Sequence, residues 1–227
     1  MGYQFDFSAL LPYWPQFALG VWLTIQLSVA STIAGFVLGT LCAIGRTGSS
    51  PLVRKIVGGY VEIIRNTPLL VQIFLIYFGI ATLGIRIPAN ISAIIALVIN
   101  IGAYVSEIIR AGIESIPKSQ IEAAECLGLS SAQIYRHVIL QPAVERVYPA
   151  LTSQFVLLML ASSITSQISA EELTAAANRI QSDTFRSFET YVVIGVLYIA
   201  LSYLMRLALS GVGLLVFKRR RKLGTVL

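Results

Sequence analysis

The chain has 227 residues, 56% hydrophobic and 12% charged, with a formal net charge of +6 and a mean hydropathy of +0.78. Soluble globular chains carry roughly a quarter charged residues, so this composition excludes a soluble domain. Between Asp6 and Arg46 there is no charged side chain, a gap longer than the ~20 residues that cross a bilayer core. The apolar runs are long and continuous and lack the alternating short segments of barrel strands, so helices do the spanning. The expected fold is an all-α integral membrane domain, 1–227, of five transmembrane helices with a short helical cytoplasmic loop between spans three and four.

In chain order the spans are expected at about 17–44, 56–83, 89–109, 148–169 and 190–217. No basic region precedes the first apolar run, which therefore reads as a retained span rather than a signal peptide. Arg46, Arg54 and Lys55 fall between spans one and two, and Arg110, Lys118, Arg136 and Arg146 between three and four. With Lys218, Arg219, Arg220, Arg221 and Lys222 in the tail, twelve basic residues lie on one side, against Arg86, Arg179 and Arg186 on the other. The positive-inside rule then places the N-terminus outside and the C-terminus in the cytoplasm of a multi-pass bacterial inner-membrane protein. Directly after a span, the tail run reads as a lipid-headgroup anchor rather than a nucleic-acid arm.

Cys42 and Cys126 are too few and too differently placed for a disulfide framework. His137 has no companion at metal-ligand spacing, and no run has the pattern of a phosphate-cradling glycine loop, nucleophile elbow or zinc motif. The sequence supports neither catalysis nor a metal or cofactor held by this chain.

The loop at about 111–146 is longer than a connector needs and carries helix signals. Pro117 suits a first turn, residues 120–127 are good helix formers, Gly128 is a C-terminal stop, and Ser130 can cap a second helix at about 132–139. Ile121, Leu127, Leu129, Ile134 and Val138 are expected to pack the two helices together, while Ala123 and Ala124 let another surface approach. A DNA-reading helix-turn-helix is a poor alternative, because the second helix offers only Arg136, His137 and small polar groups and is tethered to the bilayer at both ends. A loop that merely packs on its own bundle is the other alternative.

Glu122-Ala123-Ala124, three residues, Gly128, and then Leu140-Gln141-Pro142 resemble the EAA loop of permease subunits of ABC importers. The stretch from Glu62 to Gln72, the residues Gly102, Ala103, Tyr104, Glu107 and Arg110, the run Gly112 to Ile116, and Glu172-Leu173-Thr174 resemble the polar amino acid uptake branch. The chain departs from that pattern at Gln141-Pro142, whose order is reversed, at Ser119 in place of Gly, and at Leu160-Ala161 in place of a Lys-Asp pair. The resemblance implies a permease that works beside a second copy or paralogue, bears a cytoplasmic ABC ATPase dimer that holds ATP and Mg, and receives a polar amino acid from a periplasmic or tethered binding protein. It further implies that Glu122, Ala123, Ala124, Gly128 and Arg136 couple to the ATPase. A secondary transporter and a non-transporting membrane scaffold are the other classes; the first would need its own coupling-ion site and inverted repeats.

Polar groups inside spans are expensive in lipid and face a cavity or another helix. Glu62 and Arg65, at i and i+3, are expected to form an intramembrane ion pair. Gln72, Asn100, Gln154, Ser162 and Ser166 are candidates for the substrate pathway, and equally for interhelical hydrogen bonds. The route is expected along spans two to four, with Arg206 of span five snorkelling to the cytoplasmic side.

Overall fold

The computed structural model describes residues 4–217, and the basic run at 218–222 lies outside the described residues. A 3-10 turn (Ser8–Tyr13) leads into α1 (Trp14–Thr47), α2 (Pro51–Arg65), α3 (Leu69–Thr82) and α4 (Ala89–Glu114). After α5 (Lys118–Cys126), the short α6 (Ser131–Gln133) runs through a π-helical stretch (Ile134–Leu140) into α7 (Gln141–Ala161). A 3-10 segment (Ser162–Ile168), α8 (Leu173–Thr184) and α9 (Ser187–Val216) complete the chain.

The helical runs Ser8–Thr47, Ala89–Glu114, Ser131–Ile168 and Ser187–Val216 are long and apolar enough to cross a membrane, and α2 with α3 gives a fifth, broken candidate. The continuous helix expected at 56–83 is therefore not formed: α2 and α3 meet at 108°. Pro68 causes the break, because it disfavours helical backbone at Thr67 and has no N–H to continue the ladder. The 14 residues of α3 rise about 21 Å, short of the ~30 Å hydrocarbon core.

The centre of the bundle is the seam between α1 and α4. On α1, Ser31, Gly35, Gly39 and Ala43 recur every fourth residue and are all buried, so one face of the helix is nearly bare backbone. Against it α4 places Ile101, Gly102 and Val105, all buried. A Cβ on Gly39 would lie 2.7 Å from the Gly102 carbonyl oxygen and 2.6 Å from the Val105 side chain, and one on Gly35 would lie 2.0 Å from an Ile101 methyl. Close backbone approach of this kind is how helices associate where lipid removes the hydrophobic drive. Leu97, Ile101, Val105 and Ile109 of α4 then meet Ile73 of α3 and Leu151, Phe155 and Leu158 of α7 in the main core.

At the other end, α8 was not expected from the sequence. Its Leu173, Ala177 and Ile180 join Leu10 and Phe17 of the N-terminal segment and Ile194 and Leu201 of α9 in a second cluster. Glu172, 1% exposed, caps it: one carboxylate oxygen accepts from Ala175 N–H at 2.7 Å, the other from Thr174 N–H at 2.8 Å and Tyr198 O–H at 2.6 Å. Burial pushes this carboxyl above the usual range, and the three donors oppose that rise. The Leu173 N–H donates to the Thr24 hydroxyl at 3.0 Å, so the same turn is tied to α1.

The seam predicts an ordering of glycine variants. Gly39→Ala meets a backbone carbonyl, and Gly35→Ala meets a methyl on the fully buried, β-branched Ile101, whose χ1 is restricted in a helix, so neither neighbour yields easily and overpacking costs about 1–3 kcal/mol. Thermal unfolding in detergent should drop for both Gly39→Ala and Gly35→Ala. Gly59→Ala, where a methyl meets nothing within 4 Å, should unfold at or slightly above the wild-type temperature. A wild-type midpoint for Gly39→Ala would remove the seam from its central place.

Candidate coupling and transport site

The loop between α4 and α7 is one free helix followed by an extension of α7, which corrects the expectation of two separate short helices at 120–127 and 132–139. α5 ends in a glycine turn: Gly128 has φ +74°, its N–H donates to the Glu125 carbonyl at 2.9 Å, and the Leu129 N–H donates to the Ala124 carbonyl at 3.2 Å. These two bonds together satisfy the last carbonyls of the helix. Ser130 and Gln133 form a reciprocal capping box at the start of α6. From there the helix does not stop. Pro142 lacks an N–H for the carbonyl four residues back and its ring crowds that position, and the wider π turn at Ile134–Leu140 provides the room.

Glu122, Ala123, Gly128 and Arg136 are exposed, whereas Ala124 is buried and turned inward. Leu127, expected to pack inside the loop, is 79% exposed, because the glycine turn carries it away from the π-helical segment on which α5 rests. The start of α5 is held by Arg146 of α7, whose guanidinium donates to the Ser115 carbonyl at 2.6 Å and hydroxyl at 2.7 Å.

Where α1, α2 and α4 converge, Glu107 gathers three arginines. One carboxylate oxygen bonds Arg46, the other bonds Arg110, and Arg110 also bonds Glu114. Arg65 lies 3.9 Å from Glu107 with its guanidinium carbon 5.6 Å from the centre of the Tyr104 ring. The expected Glu62–Arg65 ion pair is therefore not formed: α2 ends at Arg65, which turns to α4, and among the described residues Glu62 has no ion-pair partner. Tyr104, Glu107 and Arg110 stood in the quoted motif, but their meeting with Arg46 and Arg65 is tertiary and leaves no local spacing signal.

The expected pathway residues separate. Gln72 is buried, and its amide donates to Ile64 O at 2.8 Å, Thr67 O at 3.0 Å and the Thr67 hydroxyl at 2.8 Å. Asn100 of α4 donates to the Gln72 side-chain oxygen at 3.0 Å, so the pair braces the α2–α3 bend against α4. Ser162 and Ser166 donate to the carbonyls three residues back, Met159 and Ser163, at 2.6 and 2.8 Å. Gln154 is half-buried on α7. The route was expected to avoid span five, yet a groove of about 640 Å³ opens between α7 and α9, lined by Ser153, Leu157, Tyr198, Ser202, Tyr203 and Arg206.

Residues 35–214 match the family model of the binding-protein-dependent transport system inner membrane component. The chain is similar to the nopaline transport system permease protein NocM of Agrobacterium fabrum, 34% identical over 210 residues, covering 88% of this chain and 87% of that one. It is equally similar to the glutamine transport system permease protein GlnP of Escherichia coli, 34% identical over 209 residues, covering 89% and 95%. Among solved structures, a chain from the crystal structure of an amino acid ABC transporter with histidines aligns at TM-score 0.85 and 37% identity, over 93% of this chain and 99% of that one. A chain of the inward-facing MetNI methionine ABC transporter, at TM-score 0.75 and 24% identity over 91% and 99%, shares the fold.

The Glu107 cluster predicts non-additive energetics. In a double-mutant cycle of Arg46→Gln and Glu107→Gln, read by thermal unfolding in detergent, the double variant should lose less than the summed losses, by about 1 kcal/mol. Strict additivity would mean that α1 and α4 are not joined by this pair.

Proposed function

This chain belongs to the family of binding-protein-dependent transport system inner membrane components, and on that premise we propose that it is the permease through which an ABC importer moves a polar amino acid. It is a multi-pass membrane subunit without an enzymatic activity of its own, and ATP is hydrolysed on a separate subunit. The amino acid assignment is supported by the relatives named for glutamine and nopaline transport and by the Glu62 to Gln72 and Gly102 to Arg110 motifs. ATP and Mg then reside on a cytoplasmic ATPase dimer, and a binding protein delivers the substrate. The second permease of the assembly is a copy of this chain or a paralogue.

The observation that carries the coupling role is the exposed edge of α5. Leu127, a large apolar side chain standing free on a charged loop, sits beside Glu122, Ala123 and Gly128 on a helix whose two ends are fixed, by the Ser115–Arg146 clasp and by the glycine turn. Such an edge suits a cleft in a partner: Leu127 fills a pocket, Glu122 makes a charge-assisted bond at the rim, and Ala123 with Gly128 allows close approach. Arg136 lies farther along as a rim contact, and Ala124 serves the loop's own packing. A push on α5 passes without a joint through the π-helical segment into α7, so the loop acts as a lever. For the route itself, the hydrogen bonds already made by Gln72, Asn100, Ser162 and Ser166 support a role in shaping its walls, and Gln154 stands as a lining group.

The Lys/Arg asymmetry and the loop's proposed role support a cytoplasmic segment between α4 and α7 and an N-terminus outside. A phosphatase fused at the C-terminus should be inactive and a fluorescent reporter there bright, and the opposite pattern would invert the orientation. Leu127→Asp, Glu122→Lys and Gly128→Asp should each cut copurification of the ATPase and amino acid uptake at least tenfold while the chain still inserts. Gly128→Asp acts through its positive φ, which an aspartate adopts only with strain. Full uptake by all of these variants would count against the docking role, and uptake that persists without ATP would favour a secondary transporter.

A further inference from the structure

Arg206 is a cation within the apolar run of α9, and among the described residues it makes no ion pair. It stands ten residues before the end of α9 at Val216, about 15 Å along the axis at 1.5 Å per residue, so the helix carries it well away from its own C-terminal end. It lines two adjoining cavities at the α7–α9 junction: the groove of about 640 Å³, and a smaller one of about 220 Å³ formed with Pro149, Thr152 and Ser153. The larger volume falls within the ~300–1,000 Å³ usual for small-molecule sites.

An independent observation marks the same place. Thr152 is 3% exposed and its hydroxyl has no hydrogen-bond partner, although a buried hydroxyl left unpaired costs about 1–3 kcal/mol. Elsewhere on this part of the chain hydroxyls bond the backbone, as Ser162, Ser163, Thr165 and Ser166 all do. Thr152 lines the smaller cavity with the guanidinium. Along α9, Tyr198, Ser202 and Arg206 recur every fourth residue, forming one polar stripe that begins at the Glu172 cap and ends at the cation.

An unpaired guanidinium, exposed on an open groove beside a buried hydroxyl, suits an oxyanion: its planar fork takes both oxygens of a carboxylate, and hydroxyls complete the shell. We infer that Arg206, Thr152 and Ser153 form a carboxylate site at which the transported amino acid is held between α7 and α9. This rests on the amino acid reading above. It replaces snorkelling as the role of Arg206 and brings span five into the route. The amine end of the ligand then lies up the groove toward the hydroxyls of Ser202 and Tyr203. The phosphate of a lipid headgroup offers the same oxyanion chemistry, and the test separates the two sources.

The full importer, permease with ATPase, would be purified in detergent and equilibrated with labelled glutamine, arginine and histidine without the binding protein. The same complexes would then be assayed for uptake, with the binding protein, in vesicles of purely zwitterionic lipid and in vesicles containing anionic lipid. Binding of at least one amino acid should be competed by the unlabelled amino acid and not by its carboxamide. Arg206→Gln should weaken binding and uptake at least tenfold and Thr152→Val several-fold, with Arg206→Lys in between and the defect the same in both vesicle types. Thr152→Ser, which keeps the hydroxyl, should retain most of the function, guarding against a folding defect. Wild-type affinity in Arg206→Gln, equal competition by the carboxamide, or a defect confined to vesicles with anionic lipid would each overturn the assignment, the last by making a lipid phosphate the occupant. Wild-type complexes that neither bind nor import any amino acid would overturn the transport reading itself and the carboxylate assignment with it.

Discussion

The approach of α1 to α4 is the constraint on which the other helices depend. In lipid, apolar area gains nothing by meeting another helix, so association rests on fit and on satisfied polar groups. The row Ser31, Gly35, Gly39, Ala43 brings the two backbones together and makes α4 the most enclosed helix of the chain, with Leu97, Ile101, Val105 and Ile109 fully buried. Each remaining element is then referred to α4. The α2–α3 bend is braced to it through Gln72 and Asn100, α7 packs along it, and the charges at its far end draw in α1 and α2. A side chain larger than glycine in the seam would move all of these at once.

The same helix anchors the loop between α4 and α7, as its proposed role as a lever requires. Three arginines share Glu107, which fixes the end of α4 against α1 and α2 at the point where the chain leaves the bundle. Three residues beyond Ser115 the chain enters α5, and Ser115 is itself clasped by Arg146 from α7. The loop is therefore bounded by fixed points on both sides, and its one left-handed residue, Gly128, closes α5 instead of loosening it. Motion imposed on α5 has two outlets, the α4 end and the α7 helix. The first is pinned by charge, so under the proposed coupling the second would carry the displacement toward the α7–α9 groove.

Much of this was legible in the sequence, and the failures share physical causes. Spans one, three, four and five follow from long apolar runs with few or no charges, because bilayer thickness sets helix length directly. Gly128, Ser130 and the α5 helix were readable because caps and turns are local chemistry. The break at Pro68 was not, because hydropathy is blind to direction and Leu69 to Leu83 continues the apolar run. α8 escaped because its core residues Leu173, Ala175, Ala177 and Ile180 are few and two of the four are alanines. Glu62 and Arg65 were paired on i,i+3 spacing, but Arg65 ends its helix and finds a carboxylate on another element. Leu127 was counted inward for its hydrophobicity alone, whereas an apolar side chain after a glycine turn can equally be presented outward.

The polar residues inside the bundle sort by whether their hydrogen-bonding capacity is already used. Gln72 donates three times and accepts once, Asn100 is committed to it, and the 3-10 segment Ser162–Ile168 turns its hydroxyls back on its own carbonyls. Groups so engaged keep some acceptor capacity, but the bonds they make hold a shape that lipid would otherwise close. Ser28, Ser31, Thr32, Ser92 and Ser106 are buried without partners, but they belong to α1 and α4, where small size is what the seam selects. Thr152 alone among the buried unpartnered hydroxyls lines a cavity beside an unpaired cation. A buried hydroxyl kept unsatisfied costs free energy continuously, whereas a framework hydroxyl already has its partner. That asymmetry, invisible in composition, separates framework from binding surface in a chain whose polar residues are few.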